Sequence, residues 1–169
     1  TADTTSLFAG SSGRGWGGAA LGSNGLIYMM PYFAQYGLII DPEANTIDTT
    51  SISGLSFDSG AFLSATAVGD QIFAVPFHGQ DIFIINTTSS TATQHPVGDS
   101  SHSKWDCGVL ADNGKLYAIP YSADSVLVID PSAMPPQESQ DLPPSQPPCK
   151  RCTFAELFQS GSDCCALSF

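Results

Sequence analysis

Short apolar runs separated by turn residues dominate the first part of the chain. Residues 16–42 contain three such runs, with Asn24-Gly25 after the first and Asp41-Pro42 after the third. Asn and Gly both tolerate a positive φ, so the first pair predicts a two-residue hairpin turn, and Asp-Pro predicts a turn that ends a strand. Residues 45–52 are polar and β-branched, which suits an exposed edge strand. This region therefore predicts four short antiparallel strands.

The same pattern occurs three times. Residues 105–131 align with residues 16–42 without a gap, and 12 of the 27 positions are identical, which is too many for coincidence. Residues 62–87 carry the pattern one residue shorter. In that segment Phe73, Pro76 and Asn86 occupy the positions of Tyr28, Pro31 and Asp41. The chain therefore contains three copies of a unit of about 45 residues.

Four short strands in each unit of about 45 residues are typical of a β-propeller blade. The period-two pattern excludes helical solenoids, whose units need a periodicity of 3.6 residues. We therefore predict an all-β, propeller-like array of about three four-stranded antiparallel blades, at about 15–52, 61–97 and 104–131. The runs that are apolar on both faces predict strands packed between neighbouring blades.

The array is predicted to be an open arc. A ring of three blades would be badly splayed, because closed propellers usually have at least four. Residues 1–7 match residues 46–52, which predicts a displaced outer strand, whereas prolines disrupt the outer strand of the third repeat. We therefore expect other protein subunits, a second copy or further sequence to complete the arc. An exposed blade face would otherwise favour aggregation.

The prolines also divide the chain. The predicted parts are propeller-like repeats in residues 1–135, a Pro-rich linker in residues 136–148 and a Cys-containing tail in residues 149–169. Since the chain begins with Thr rather than Met, we expect a processed form or a piece of a longer protein, with a weak preference for a secreted or organelle-lumenal setting.

The third repeat carries a resemblance to a known repeat. Residues 105–131 read W-x-x-G-V-L-A-x-N-G-K-x-Y-x-I-P-x-x-A-x-S-V-L-V-I-D-P. This motif resembles a propeller-like repeat of unicellular algae and other protists, and more distantly the YVTN and NHL blades. The resemblance covers residues 1 to about 135 and implies a propeller fold. It implies no activity, because propellers host many functions and this repeat has no catalytic motif to transfer.

Charge and composition narrow the function. The formal net charge of −11 argues against binding nucleic acid or anionic lipid, and no apolar run approaches the length of a membrane span. No catalytic constellation or cofactor motif is evident, so we expect no cofactor and no enzymatic activity. The favoured function is a non-enzymatic interaction or structural module in a larger assembly. The alternative is a lectin-like propeller that binds carbohydrate or another small ligand.

Two sets of residues could carry binding or cross-linking. Aromatic residues recur at the repeat starts and after the repeat prolines, where they could stack on sugars or pack between blades: Trp16, Phe62, Trp105, Tyr32, Phe77 and Tyr121. Four tail cysteines are candidates for disulfides, with zinc as the alternative: Cys149, Cys152, Cys164 and Cys165. Cys107 is the odd cysteine, and Asn86 begins a glycosylation sequon.

Overall fold

The computed structural model describes residues 15–53 and 59–134, and the described part is all-β. The predicted outer strand 1–7, the Pro-rich linker and the Cys-containing tail lie outside these residues. Blade 1 consists of β1 (Trp16–Leu21), β2 (Ile27–Pro31), β3 (Leu38–Asp41) and β4 (Thr46–Asp48). Blade 2 consists of β5 (Thr66–Val68), β6 (Gln71–Ala74), β7 (Asp81–Asn86) and β8 (Thr91–Pro96). Blade 3 consists of β9 (Trp105–Leu110), β10 (Leu116–Pro120) and β11 (Leu127–Ile129).

Each blade is an antiparallel meander in which consecutive strands pair. In the described residues, blades 1 and 2 have four strands and blade 3 has three. After β11, Asp130 caps a short 3₁₀ turn, Pro131–Ala133, through a bond from the Ser132 N–H to its carboxylate. The array of three antiparallel sheets confirms the predicted propeller-like fold. No helix in the described ranges has the length and apolar character needed to cross a membrane.

The turns follow the local sequence. Gly25 has φ 83° and Gly114 has φ 76°, the left-handed conformation expected of these glycines, but neither Asn24 nor Asn113 has a positive φ. The predicted two-residue hairpin turn is therefore wrong, because Leu21 pairs with Ile27 and leaves a five-residue loop between the strands. In the β3–β4 turn, the Asp41 carboxylate accepts the N–H groups of Glu43 and Ala44 at 2.9 Å. These side-chain bonds end the strand and reverse the chain.

Both faces of blade 2 are buried, one against blade 1 and the other against blade 3. Alternate residues of β6 and β7 point to opposite faces of the sheet. One face joins the blade 1–blade 2 core, whose largest members are Tyr28, Met30, Phe62, Ile72, Phe83 and Ile85. The other face joins the blade 2–blade 3 core, which contains Phe73, Val75, Ile82, Ile84, Trp105, Leu116, Ala118 and Ile129. Runs that are apolar on both faces therefore lie between blades, as predicted.

The inner strands β1, β5 and β9 approach one another where the blades meet. A Cβ added to Gly18 would lie 2.3 Å from Cα of Ser64, so glycine is required at this contact. Between blades 2 and 3, the Thr66 hydroxyl donates to the Gly108 carbonyl at 2.6 Å. These contacts hold the inner strands of the three blades together.

Candidate functional site: the open face of blade 3

One face of blade 3 is apolar and exposed. We call it the open face, and it consists of Val109, Tyr117, Ile119, Val126 and Val128. Tyr117 pairs with Val109 on one side and with Val128 on the other, so these three side chains form a row across the sheet. Ile119 is 43% exposed, and Val126 and Val128 are 50% and 49% exposed. In soluble proteins, large exposed apolar patches are commonly sites of interaction with other proteins or ligands.

The equivalent face of blade 2 shows what such a surface contacts. Phe73, Val75 and Ile84 precede Tyr117, Ile119 and Val128 by one repeat. These blade 2 residues are 0%, 1% and 4% exposed, because they pack against blade 3. The blade 1 equivalents are Tyr28, Met30 and Ile39, which are buried against blade 2. The open face is therefore equivalent to the faces of blades 1 and 2 that are buried against the next blade.

A polar pair on the open face repeats an inter-blade contact. In blade 1, the Asn24 amide donates to the Tyr28 hydroxyl at 2.9 Å and to the Thr87 carbonyl of blade 2 at 2.7 Å. In blade 3, the Asn113 amide donates to the Tyr117 hydroxyl at the same 2.9 Å. Blade 3 therefore carries the donor half of a contact that blade 1 makes with its neighbour.

The backbone after each repeat proline forms a further inter-blade contact. The Tyr32 carbonyl accepts the Ala61 N–H at 3.2 Å, and the Phe77 carbonyl accepts the Lys104 N–H at 3.0 Å. Tyr121 is the equivalent residue of blade 3 and is 67% exposed, whereas Phe77 is 8% exposed. This difference arises because Phe77 is covered by blade 3, with its ring 5.5 Å from the Tyr121 ring.

The outer edge of blade 3 also differs from that of the other blades. In blade 1, β4 pairs with β3, and Ile39 is opposite Asp48. Within the described residues β11 pairs only with β10, so its other edge presents backbone N–H and C=O groups. Blade 3 therefore offers an apolar face and an open strand edge side by side.

The opposite end of the array carries a matching surface on blade 1. We call it the rear face, and it consists of Trp16, Ile27, Met29, Leu38 and Ile40. Its equivalents in blade 2 receive blade 1 in the blade 1–blade 2 core, and they are Phe62, Ile72, Ala74, Phe83 and Ile85. All five rear-face positions are apolar, four of them are half-buried, and Leu38 is 4% exposed. The rear face therefore has the composition of a surface that receives a preceding blade.

The structure disperses the predicted ligand-binding aromatics along the junctions between blades. Phe62 is 1% and Trp105 is 4% exposed, and both lie in inter-blade cores. The indole N–H groups of Trp16 and Trp105 donate to the carbonyls of Tyr36 and Ser125 at 3.1 and 2.9 Å. These positions favour the packing interpretation of the repeat-start aromatics. Tyr121 is the aromatic of this set that projects into solvent.

Of the other predicted residues, the structure describes Cys107 and Asn86. Cys107 is a half-buried free thiol on β9, and the four tail cysteines lie outside the described residues. Asn86 ends β7, and its amide oxygen accepts the N–H groups of Thr88 and Ser89 at 2.9 and 3.1 Å. The amide nitrogen of Asn86 is the atom that a glycan would modify. Disulfide formation and glycosylation stay predictions.

Sequence reasoning missed a polar cluster at the blade 2–blade 3 junction. The His78 Nδ1 lies 3.1 Å from the Ser59 carbonyl oxygen, and Nε2 lies 3.1 Å from the Ser103 hydroxyl. Because a carbonyl only accepts, Nδ1 is the donor to Ser59. The buried Lys104 ammonium donates to the carbonyls of Gly79 and Ser101 at 2.6 and 2.8 Å, which fixes the two loops together.

Comparisons with known proteins place this architecture among propellers. By sequence, the chain matches no protein-family profile and no curated protein. By structure, it is similar to virginiamycin B lyase from Staphylococcus aureus, with TM-score 0.59 and 11% identity over 72% of this chain and 40% of that chain. It is also similar to the extracellular domain of a one-component system from B. thetaiotaomicron, with TM-score 0.53 and 18% identity over 70% of this chain and 14% of that chain. The chain thus spans less than half the length of either structure.

The expectation that the chain is not an enzyme requires correction. Virginiamycin B lyase is an enzyme, and hydrazine synthase from Kuenenia stuttgartiensis is also similar in structure, with TM-score 0.50 and 14% identity over 67% of this chain and 33% of that chain. The absence of a familiar motif was therefore insufficient ground for excluding catalysis, because this fold also carries enzymes. At these identities the likeness shows the fold and assigns no reaction to the chain. The fold is therefore of the propeller type.

Proposed function

We propose that this protein is an interaction module whose open face binds a further four-stranded blade of the same repeat type. The observation that carries the proposal is the equivalence between the open face and the buried face of blade 2. The contact between blades 2 and 3 supplies the chemistry of the partner, which presents a large aromatic ring and small or branched aliphatic side chains. The edge of β11 would also accept an added outer strand, as β3 pairs with β4 in blade 1. We further propose that the repeat is of the algal and protist type, related to YVTN and NHL blades.

Val128→Glu tests the use of the open face. Val128 is half-exposed, so the folded chain tolerates the carboxylate, but a bound blade would bury it without a partner. The matched control is Thr91→Glu, which places the same charge at an exposed position of β8, away from both end faces. Two quantities are measured under reducing conditions, the native mass and the fluorescence of an apolar dye.

The two possible states of the open face give different results. If the face is vacant in the purified protein, the dye binds to it and Val128→Glu lowers the fluorescence. If a partner covers the face, the dye response is low and Val128→Glu lowers the native mass. The proposal fails if Val128→Glu changes neither quantity relative to Thr91→Glu.

Binding of carbohydrate or another small ligand is the second candidate function. It is supported by Tyr121, whose ring is 67% exposed at the end of blade 3 and available for stacking on a sugar. Titration with simple sugars, followed by tryptophan fluorescence, tests this candidate. Tyr121→Ala should abolish any saturable change in the fluorescence. If the unmodified protein shows no such change, this candidate function is refuted.

A further inference from the structure

We propose that the blade bound by the open face is blade 1 of a second copy, so that two copies form a closed ring of six blades. This inference rests on the proposed function and names its partner. The open face of each copy packs on the rear face of the other, and a two-fold axis relates the two contacts. Three blades fall below the range of closed propellers, whereas six lie within it.

The first argument is that the rear face has the composition of the two receiving faces inside the chain. At the positions where blade 3 presents Leu116, Ala118 and Ile129 to blade 2, blade 1 presents Ile27, Met29 and Ile40. An aromatic ring precedes each set, Trp105 in blade 3 and Trp16 in blade 1. The open face of a second copy would therefore meet a surface similar to the one that blade 2 meets.

The second argument is that the hydrogen-bonding groups are in register. The Thr87 carbonyl that accepts from Asn24 is equivalent to the Pro42 carbonyl of blade 1, one repeat earlier. In the proposed ring, the Asn113 amide donates to the Pro42 carbonyl of the second copy. The Tyr121 carbonyl likewise accepts the Gly15 N–H of the second copy, as Phe77 accepts from Lys104. Each intermolecular bond thus repeats an inter-blade bond found within the chain.

The third argument concerns the missing outer strand. Residues 1–7 read TADTTSL and match TIDTTSI at residues 46–52, which include β4. The match at residues 1–7 ends nine positions before Trp16, and the match at residues 46–52 ends ten positions before Phe62. The sequence spacing between residues 1–7 and Trp16 is therefore close to the spacing between residues 46–52 and Phe62. When blade 1 of the second copy docks on the open face, its residues 1–7 can pair with β11.

The register of this added strand follows from blade 1. Ile39 pairs with Asp48 and Ile40 pairs with Ile47. By repeat equivalence, Val128 and Ile129 of β11 are the residues to which an added outer strand would pair. The exchanged strand would complete blade 3 as a four-stranded sheet and cover the open edge.

The native mass of the full chain under reducing conditions tests the ring, because reduction removes dimers formed by tail disulfides. The expected mass is about 35 kDa, twice the chain mass of 17.7 kDa. Val128→Glu should give a monomer, and Thr91→Glu should leave the dimer intact. Asn113→Ala is an exposed substitution outside the core, and it should raise the dimer dissociation constant about tenfold. Removal of residues 1–7 should raise the constant by at least as much.

The outcomes separate this inference from the proposed function. A monomer whose dye response falls with Val128→Glu overturns the second copy and leaves the open face as a docking site for another blade. A dimer that Val128→Glu does not weaken overturns the contact itself. A ladder of larger species that Val128→Glu dissolves overturns the closed ring in favour of open head-to-tail chains. A dimer that is indifferent to the loss of residues 1–7 overturns the strand exchange.

Discussion

Gly18 lies where the inner strands of blades 1 and 2 come closest, and Gly18→Ala measures the importance of that contact. The new Cβ would lie 2.3 Å from Cα and 2.7 Å from the carbonyl carbon of Ser64, and 2.8 Å from the carbonyl oxygen of Leu63. Carbon atoms pack at about 3.5–4.0 Å, so the strands must separate by more than about 1 Å. The atoms involved belong to the backbone and cannot rotate away. Since overpacking costs about 1–3 kcal/mol, we expect the free energy of unfolding to fall by about 3 kcal/mol.

Gly79→Ala is the matched control, because the same substitution occurs at a roomier position. Its Cβ would have its nearest neighbour at 3.6 Å, which is ordinary van der Waals contact, so the free energy should change by less than about 1 kcal/mol. Urea unfolding, followed by the fluorescence of Trp16 and Trp105, gives both values by linear extrapolation. Equal losses in the two variants would refute the close approach of the inner strands.

Two further predictions concern single polar groups. Hydrogen bonds from the Ser51 hydroxyl and from the Thr50 N–H lower the pKa of Asp48 from 3.8 to about 2. Because the folded pKa is the lower one, this stabilisation is complete above the unfolded pKa and is lost as pH falls towards 2. Asp48→Asn should therefore make the urea midpoint less dependent on pH between 4 and 2, and an unchanged slope would contradict the assignment. The Ser64 hydroxyl oxygen is buried and finds no hydrogen-bond partner among the described residues. Ser64→Ala should leave the free energy of unfolding unchanged or raise it by up to about 1 kcal/mol. A decrease of more than about 1 kcal/mol would show that the hydroxyl is hydrogen-bonded.

Local sequence was sufficient to predict the strands and where the chain turns, but not the length of the Asn-Gly loops. Each Asn-Gly pair forms a turn whose glycine has a positive φ, and the strands on either side follow the apolar runs. Pro131 begins a 3₁₀ turn. The prolines that are expected to disrupt the outer strand of the third repeat lie after residue 134, outside the described residues, so that expectation stays a prediction. These features depend on residues within a few positions of one another, so one sequence contains the information.

The exposure of a side chain depends on its neighbours in space and could not be predicted in this way. Phe73 and Tyr117 occupy equivalent positions in the repeat, yet Phe73 is fully buried and Tyr117 is half-buried. The difference depends on whether a blade follows. Likewise, Ser103 meets His78 across two loops that are 25 residues apart, and no spacing rule connects them. The sequence therefore predicted the blades and left the chemistry at their junctions undetermined.

The two buried faces of β7 have a consequence for synthesis. Ile82, Phe83, Ile84 and Ile85 form a continuous apolar segment between Asp81 and Asn86, which is the composition of an aggregation-prone strand with polar gatekeepers at its ends. Blade 1 precedes blade 2 on the ribosome and can cover one face of β7 as soon as it emerges. The other face is covered only after Ile129 has been synthesised, 43 residues after Asn86. At about 5–20 residues per second, that face stays uncovered for roughly 2–9 s in each nascent chain, an interval in which a chaperone can bind it.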